Sequence, residues 1–234
     1  GDDDEMPEHT VTLSGYFIEI DEVTNAEYRE CVNNLACTDP FADTSPTRSD
    51  YFTNPAYDNY PVMWVDRARA IEYCQWAGRR LPTEAEWEKA ARGGCELVAP
   101  STCGSEDERT YPWGEASPSC SRANYKYGEG LYCVGAGDTA PVGARSPAGD
   151  SPYGVHDMAG NLFEWVADWY GDTYYASSPS TNPPGPGSGD HHIVRGGSWL
   201  GDVTMLRTAA REPANTENLG WWYQMMGFRC AKSL

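Results

Sequence analysis

Two carboxylates and an amide lie close together around a glycine in one short segment. Asp157 precedes Gly160 and Asn161, and Glu164 follows three residues later. Calcium and other hard cations bind six to eight oxygens, and a tight turn can add backbone carbonyls to carboxylates. The segment predicts a calcium site, because clustered carboxylates without a cation would repel one another. The alternative is that Asp157 and Asn161 only satisfy turn amides while Glu164 lies on the surface.

Eight cysteines form the second chemically informative set. Their even number, without a C-x-x-C pair, favours disulfides in an oxidising compartment over a zinc or thioredoxin-type site. Proximity predicts three short bridges, which would be Cys31–Cys37, Cys95–Cys103 and Cys120–Cys133. Cys74 and Cys230 then remain for one long bridge. Eight cysteines allow 105 pairings, so proximity alone leaves the connectivity open.

Other catalytic and binding motifs are missing from the sequence. His191 and His192 are adjacent, and on a strand they would face opposite sides, so solvated loop residues are favoured over a shared metal ion. No glycine-rich phosphate loop or G-x-S-x-G segment is present. The net charge of −18 argues against nucleic acid, which binds a basic surface.

The composition indicates one loop-rich domain. The 234 residues include 24 Gly, 17 Pro, 9 Trp and 15 Tyr, so aromatic packing and turns are expected to dominate over long helices. No apolar run reaches the ~18 residues of a membrane span, and no signal peptide is visible. The abrupt acidic beginning at Gly1 suggests processing or a fragment. We expect a single domain over residues 1–234.

The elements that must position these groups are brief. Residues 9–20 alternate and predict a strand pair. A helix is predicted over residues 25–32 with Thr24 as its N-cap, and another follows Asp66 and ends near Gly78. A third begins at the Thr83–Glu86 capping box and ends before Gly93.

Four segments together resemble the formylglycine-generating enzyme family, also called the sulfatase-modifying factor family. They are Gly78-Arg-Arg-Leu-Pro82 with the helix that follows, Tyr153-Gly-Val-His-Asp157 through residue 170, Arg195-Gly-Gly-Ser198 through residue 211, and Gly227-Phe-Arg-Cys-Ala231. The resemblance covers about residues 8–231. It implies an α+β fold with a C-type-lectin-like core and little regular secondary structure.

The resemblance also implies metal sites and one bridge. Matching family members bind calcium through carboxylate or amide groups and backbone carbonyls, and the corresponding positions here are Asp157, Gly160, Leu162 and Glu164. A second family calcium site begins at Asn124 and the carbonyl of Tyr125. Its remaining ligands come from an Asp-Gly-Phe-like loop, and this chain has Gly135-Ala-Gly-Asp-Thr139 there, so Asp138 could supply only part of the set. The family also has a bridge that corresponds to Cys74–Cys230.

The resemblance places a departure in the catalytic region. Catalytic members hold copper(I) on two cysteines after the Arg-Gly-Gly-Ser turn, because copper(I) selects sulfur ligands. Counting forward from Arg-Gly-Gly-Ser puts Gly201 at the first of these positions, and counting back from Ala209-Ala-Arg211 puts Val203 near the second. Met205 offers one thioether, which does not replace a dithiolate. Copper is therefore not expected.

What remains in this region is a surface, since the C-terminal segment lines the concave face where family members bind substrate peptide. The predicted binding residues are Trp199, Asp202, Arg207, Arg211, Trp221, Trp222 and Tyr223, with Asn215, Asn218, Met225 and Met226 nearby. Trp221, Trp222 and Tyr223 are unusually apolar for a loop, and the sequence leaves core and contact roles equally open.

These observations favour a secreted bacterial protein, extracellular or periplasmic, that is stabilised by calcium and disulfides. It would be a non-catalytic pseudoenzyme that binds a protein or peptide ligand, or self-associates into an extracellular oligomer or filament. The alternative is an oxidoreductase that converts cysteine to formylglycine in sulfatases, or another superfamily activity at an unrecognised site.

Overall fold

The computed structural model describes residues 2–99, 109–215 and 220–234. Its helices are α1 (Asn25–Asn33), α2 (Arg67–Trp76) and α3 (Glu84–Arg92). Its strands are β1 (Tyr16–Ile18), β2 (Lys126–Gly128), β3 (Leu131–Tyr132), β4 (Phe163–Trp169), β5 (His192–Arg195), β6 (Glu212–Ala214), β7 (Met226–Gly227) and β8 (Ala231–Ser233). Loops connect these short elements, as the composition predicts. Within the described ranges, none of the helices has the length and apolar character needed to cross a bilayer.

The helices begin where their capping residues predict. Thr24 and Glu27 form a capping box at α1, and Thr83 and Glu86 form another at α3. Gly93 ends α3 with a φ of 103°, a left-handed conformation that favours glycine.

The main sheet has the order β6-β5-β4-β7, in which β4 and β7 run parallel and the other pairs are antiparallel. A second pairing joins the two ends of the chain, because β1 lies antiparallel to β8. The predicted strand pair within residues 9–20 is therefore wrong. Only Tyr16–Ile18 forms a strand there, and its partner is more than 200 residues away in the sequence.

The two largest of the three buried clusters in the described residues form most of the core. In one, α1 and α2 stack Tyr28 on Tyr73 with ring centroids 5.7 Å apart, and Phe228 packs edge-on against both rings. In the other, Trp87 of α3 packs with Met158 and other apolar side chains beneath the sheet. Strand β4 contributes Phe163 and Trp165 to the first cluster and Val166 to the second, and the polar side chains of Asp157, Asn161 and Glu164 are buried beside them.

Disulfides confirm most of the predicted pairing. Cys31–Cys37, Cys74–Cys230 and Cys120–Cys133 are bonded, and no described cysteine is free. The Cys95–Cys103 prediction involves Cys103, which lies outside the described residues. The long Cys74–Cys230 bridge ties α2 to the segment between β7 and β8 across a sequence separation of 156.

Candidate functional site

Glu164 is buried at the centre of the molecule and pairs with an arginine. Its side chain is 1% exposed, and Arg229 donates to both carboxylate oxygens at 2.7 Å. The indole nitrogen of Trp87 donates to the same carboxylate at 2.8 Å. Arg229 also donates to three backbone carbonyls, which orient its guanidinium. The alternative that Glu164 lies on the surface is therefore wrong.

Two further carboxylates are buried beside this pair. Asp157 accepts from the backbone N–H of Gly143 at 2.6 Å, and burial raises its pKa to about 6. Glu22 accepts from the Asn161 amide at 2.6 Å and from a backbone N–H in the same turn at 3.1 Å. Burial raises the pKa of Glu22 well above its usual value, and the charges of Asp157 and Glu164 raise it further. Glu22 was not predicted as a site residue.

Among the described residues, the buried carboxylates Glu22, Asp157 and Glu164 outnumber the guanidinium that faces them, which belongs to Arg229. Such an excess favours a hard cation with oxygen ligands. Yet the described part of the chain brings together no group of three His, Cys, Asp or Glu side chains suited to one metal ion. Both Glu164 oxygens already accept from Arg229, so a calcium ion here would depend mainly on Asp157 and the backbone carbonyls at Gly160 and Leu162, oxygen donors whose chemistry suits calcium.

The second predicted calcium site does not fit the contacts of its residues. The carbonyl of Tyr125 accepts from Cys133 N–H at 3.2 Å, and the Asn124 amide nitrogen donates to Asn161 and to the carbonyl of Asp138. The Asp138 carboxylate is 1% exposed and already accepts from the 45–48 loop. The Asn124 side-chain oxygen is buried without a partner, and one such atom does not make a calcium site.

The Arg-Gly-Gly-Ser segment forms a tight turn above the main sheet. Gly196 and Gly197 have φ values of 89° and 76°, which residues with a Cβ rarely adopt. Arg195 beneath them is fully buried, donating to Glu88 at 2.6 Å and to three backbone carbonyls. The turn directs the following residues along a groove of about 360 Å³.

The groove contains Gly201 and Val203, the two positions that correspond to the copper-binding cysteines of catalytic family members. Its lining residues are Tyr125, Lys126, Tyr127, Gly128, Leu200, Gly201, Asp202, Val203 and Met205. A Cβ added at Gly201 would lie 3.2 Å from the Met205 sulfur and 3.1 Å from Ser198 N. The thioether therefore crowds the space beside Gly201, and the groove lining offers no thiol. Copper(I) selects sulfur ligands, and the only sulfur among these lining residues is the Met205 thioether.

Part of the predicted binding surface is instead internal. Trp199 is 5% exposed and donates its indole N–H to the carbonyl of Gln224 at 3.3 Å. Arg211 is also 5% exposed, and its guanidinium forms a two-bond pair with Glu84 at 2.8 and 3.0 Å. Trp199 and Arg211 therefore do not belong to the exposed binding surface, and each has a hydrogen-bond partner within the protein. His192 is corrected likewise: it is 5% exposed and stacks on Trp169 at 3.6 Å.

Two other predicted surface residues have intramolecular roles. Asp202 caps the short helical turn Val203–Leu206 by accepting from Thr204 N–H at 2.8 Å. Arg207 pairs with both oxygens of Glu5 at 2.7 Å and with Asp2 at 2.7 Å. Both remain accessible at the surface, but their charged groups are already partnered.

Trp221 and Trp222 form an exposed aromatic pair. They are 53% and 43% exposed, and their ring centroids lie 5.1 Å apart. Tyr223 is half-buried and packs on Phe41 at 4.8 Å, which anchors the segment to the body of the protein. The prediction left core and contact roles open for this segment, and the exposure of the two tryptophans favours contact. Asn218, predicted to lie nearby, is outside the described residues.

Comparison with known proteins identifies the family. The profile of the sulfatase-modifying factor enzyme 1-like domain matches residues 1–234. The chain belongs to this family. It is 34% identical to the formylglycine-generating enzyme of Streptomyces coelicolor, an alignment that covers 98% of this chain and 82% of that enzyme.

Other relatives extend the family in sequence and structure. The serine/threonine-protein kinase pkn1 of Chlamydia pneumoniae is 35% identical over 100% of this chain, which spans only 35% of that protein. The solved structure of PvdO from Pseudomonas aeruginosa superposes with a TM-score of 0.74 and 27% sequence identity. The match covers 100% of this chain and 86% of the PvdO chain. These matches confirm the predicted fold of the sulfatase-modifying factor family.

Asp168 is a buried carboxylic acid outside the segments that predicted chemistry. It lies on β4, is 4% exposed, and accepts from Glu84 N–H at 2.8 Å. Burial, followed by the charge of Glu84, raises its pKa to about 7. The raised pKa means that Asp168 favours the folded state below about pH 4, and that this contribution is lost as pH rises to 7.

We expect Asp168→Asn to stabilise the protein at pH 8, because asparagine keeps the acceptor oxygen for Glu84 N–H without a buried charge. The free energy of unfolding of the variant minus that of wild type should increase by about 2 kcal/mol from pH 5 to pH 8. Urea unfolding of both proteins at several pH values measures this difference. Equal differences at pH 5 and pH 8 would show that Asp168 does not titrate in this range.

Proposed function

We propose that this chain is a non-catalytic member of the sulfatase-modifying factor family. It would be stabilised by calcium and work outside the cytoplasm, as a binding module or as a subunit of an extracellular assembly. The observation that carries the proposal is the groove after Ser198, where Gly201 and Val203 stand beside a single thioether. The three disulfides that lie wholly within the described residues are compatible with an oxidising compartment.

A copper(I) titration tests the absence of catalysis. Because the described groove residues present no thiolate pair, we expect no tight stoichiometric copper(I) binding. The second candidate is an oxidase, and the relatives that are named formylglycine-generating enzymes favour it. Stoichiometric copper binding, or conversion of a Cys-x-Pro-x-Arg peptide to its formylglycine form, would establish that candidate and end the proposal.

The contact surface in this proposal is the tryptophan pair Trp221–Trp222. Side-by-side exposed tryptophans are costly to leave in water and supply much of the binding energy at protein interfaces. The ligand would be a protein or peptide, and a second copy of the chain is the partner that can be tested first.

We expect the wild-type protein to self-associate and the double variant Trp221→Ala/Trp222→Ala to associate at least ~10-fold more weakly. Sedimentation velocity over a concentration series measures the association constant. Phe17→Ala is the matched control, since Phe17 is a 63% exposed aromatic residue on β1, outside the tryptophan pair. A wild-type protein that stays monomeric would exclude the assembly form of the proposal. Equal weakening by Phe17→Ala would show that the tryptophan pair has no special role.

Calcium removal is expected to lower Tm. An ion bound only by the folded state stabilises it by mass action, about 2.7 kcal/mol at 100 times its Kd, or roughly 5–10 °C in a domain of this size. Differential scanning calorimetry with chelator, and then with calcium restored, measures the shift. Asp157→Asn is the control, since losing this carboxylate should reduce the calcium-dependent part of Tm. Identical Tm values with and without chelator would remove calcium from the proposal.

A further inference from the structure

The loop around Asp138 is held by a cation that belongs to the chain itself. Arg48 lies 2.9 Å from the carboxylate of Asp138, and their side chains are 12% and 1% exposed. The guanidinium also donates to the hydroxyl and the carbonyl of Thr139 at 3.3 and 3.2 Å. Arg48 therefore binds the 138–139 segment through a charge pair and two neutral acceptors.

Three tyrosine rings enclose the same guanidinium. Its central carbon lies 5.6, 5.2 and 4.6 Å from the ring centroids of Tyr51, Tyr57 and Tyr60. Aromatic faces attract cations at these distances, and the attraction increases when the cation is desolvated. The rings also contact one another, with centroid distances between 5.4 and 6.1 Å. Arg48 thus occupies a formed cage rather than a flexible surface position.

The remaining acceptor capacity of Asp138 is used by the same loop that carries Arg48. Ser45 and Thr47 hydroxyls donate to one carboxylate oxygen at 2.6 and 2.5 Å, and Thr47 N–H donates to it at 3.1 Å. The other oxygen accepts from Thr139 N–H at 2.8 Å in addition to Arg48. A calcium ion would have to displace several of these contacts to reach Asp138.

This cage adjoins the residues at which a second calcium ion was expected. The amide nitrogen of Asn124 donates to the backbone carbonyl of Asp138 at 2.9 Å, so the two positions share one hydrogen-bonded network. We propose that the Arg48 guanidinium, held by Asp138 and the three tyrosines, replaces calcium as the cation of the second site. The 45–48 loop, through Arg48, then binds the Asp138 loop in the way that a calcium ion would. The Asp138 loop therefore needs no metal to keep its conformation.

Calcium stoichiometry tests the replacement directly. Equilibrium dialysis of the purified wild-type protein at millimolar calcium should give at most one tightly bound ion per chain. Zero ions would refute the calcium-stabilised part of the proposed function but not this inference. Two ions per chain would overturn the inference, because the second site would then hold calcium in the presence of Arg48.

Substitutions test the structural role of the cage. Arg48→Met removes the charge, leaves Asp138 buried without its ion-pair partner, and should lower Tm by roughly 5–10 °C in chelator. Arg48→Met/Asp138→Asn removes both charges, keeps a side chain of similar shape at 138, and should recover part of that loss. Arg48→Lys keeps the charge without the planar fork and should fall between wild type and Arg48→Met.

Calcium dependence separates replacement from ordinary stabilisation. With Arg48→Met, the Asp138 carboxylate loses its ion-pair partner, which should make Tm more dependent on calcium than in wild type, and Arg48→Met/Asp138→Asn should lose the added dependence. An Arg48→Met protein with wild-type Tm would contradict the anchoring role. A lower Tm with no added calcium dependence would contradict the replacement.

Discussion

Arg229→Met should lower the free energy of unfolding by about 3–5 kcal/mol, the cost typical of removing one partner from a buried ion pair. Arg229 is 0% exposed, and it supplies the positive charge beside Glu164 and near Glu22 and Asp157. Methionine fills much of the volume but leaves the Glu164 carboxylate with only the indole N–H of Trp87 as a donor among the contacts described above. Urea unfolding in the presence of chelator measures the loss independently of calcium.

A double-mutant cycle isolates the ion pair from the other contacts of Arg229. Glu164→Gln keeps the shape of the side chain and removes its charge, so Arg229→Met/Glu164→Gln should be more stable than the sum of the single changes predicts. The coupling should be about 1–3 kcal/mol. Additive effects would mean that Arg229 stabilises the fold mainly through its three backbone carbonyl contacts.

Local signals along the chain predicted the parts of the fold that depend on neighbouring residues. The Thr83–Glu86 capping box lies within one helical turn, so the start of α3 follows from residue types alone. The Cys74–Cys230 bridge is different, because 156 positions separate the two cysteines. Proximity left it open, and the family motifs on both sides were needed to predict it.

The candidate site was harder to predict because its electrostatics depend on pairs that the fold assembles. Arg211 was predicted to lie on the surface, because its partner Glu84 is 127 positions away and could not be identified from the sequence. Trp199 has the side chain of a contact residue, but the fold packs it into the main core, where its indole N–H donates to the carbonyl of Gln224. Glu22 and Asp168 were not predicted as site residues, because their pKa values are raised by burial and by carboxylates that only the fold brings close to them. In a chain with a net charge of −18, sequence patterns do not identify which carboxylates are enclosed.

Removing the long bridge with Cys74→Ser/Cys230→Ser should lower the free energy of unfolding by about 5 kcal/mol, if constraint of the unfolded chain dominates. The entropic contribution of a disulfide grows with the loop it closes, and this bridge spans a separation of 156. The bridge also fixes α2 against the segment that carries Arg229. Both cysteines are fully buried in the main core. Urea unfolding under non-reducing conditions measures the effect.

Cys31→Ser/Cys37→Ser is the matched control, since this bridge spans a separation of only 6 and should contribute about 2 kcal/mol by the same relation. Cys31 is buried and Cys37 is partly exposed, so loss of packing is smaller at this pair than at Cys74 and Cys230. Equal losses for the two variants would mean that loop length does not determine the stability gained. A larger loss for the short bridge would mean that its main role is to fix the loop that follows α1. The long bridge would then be redundant with the β1–β8 pairing, which already joins the two ends of the chain.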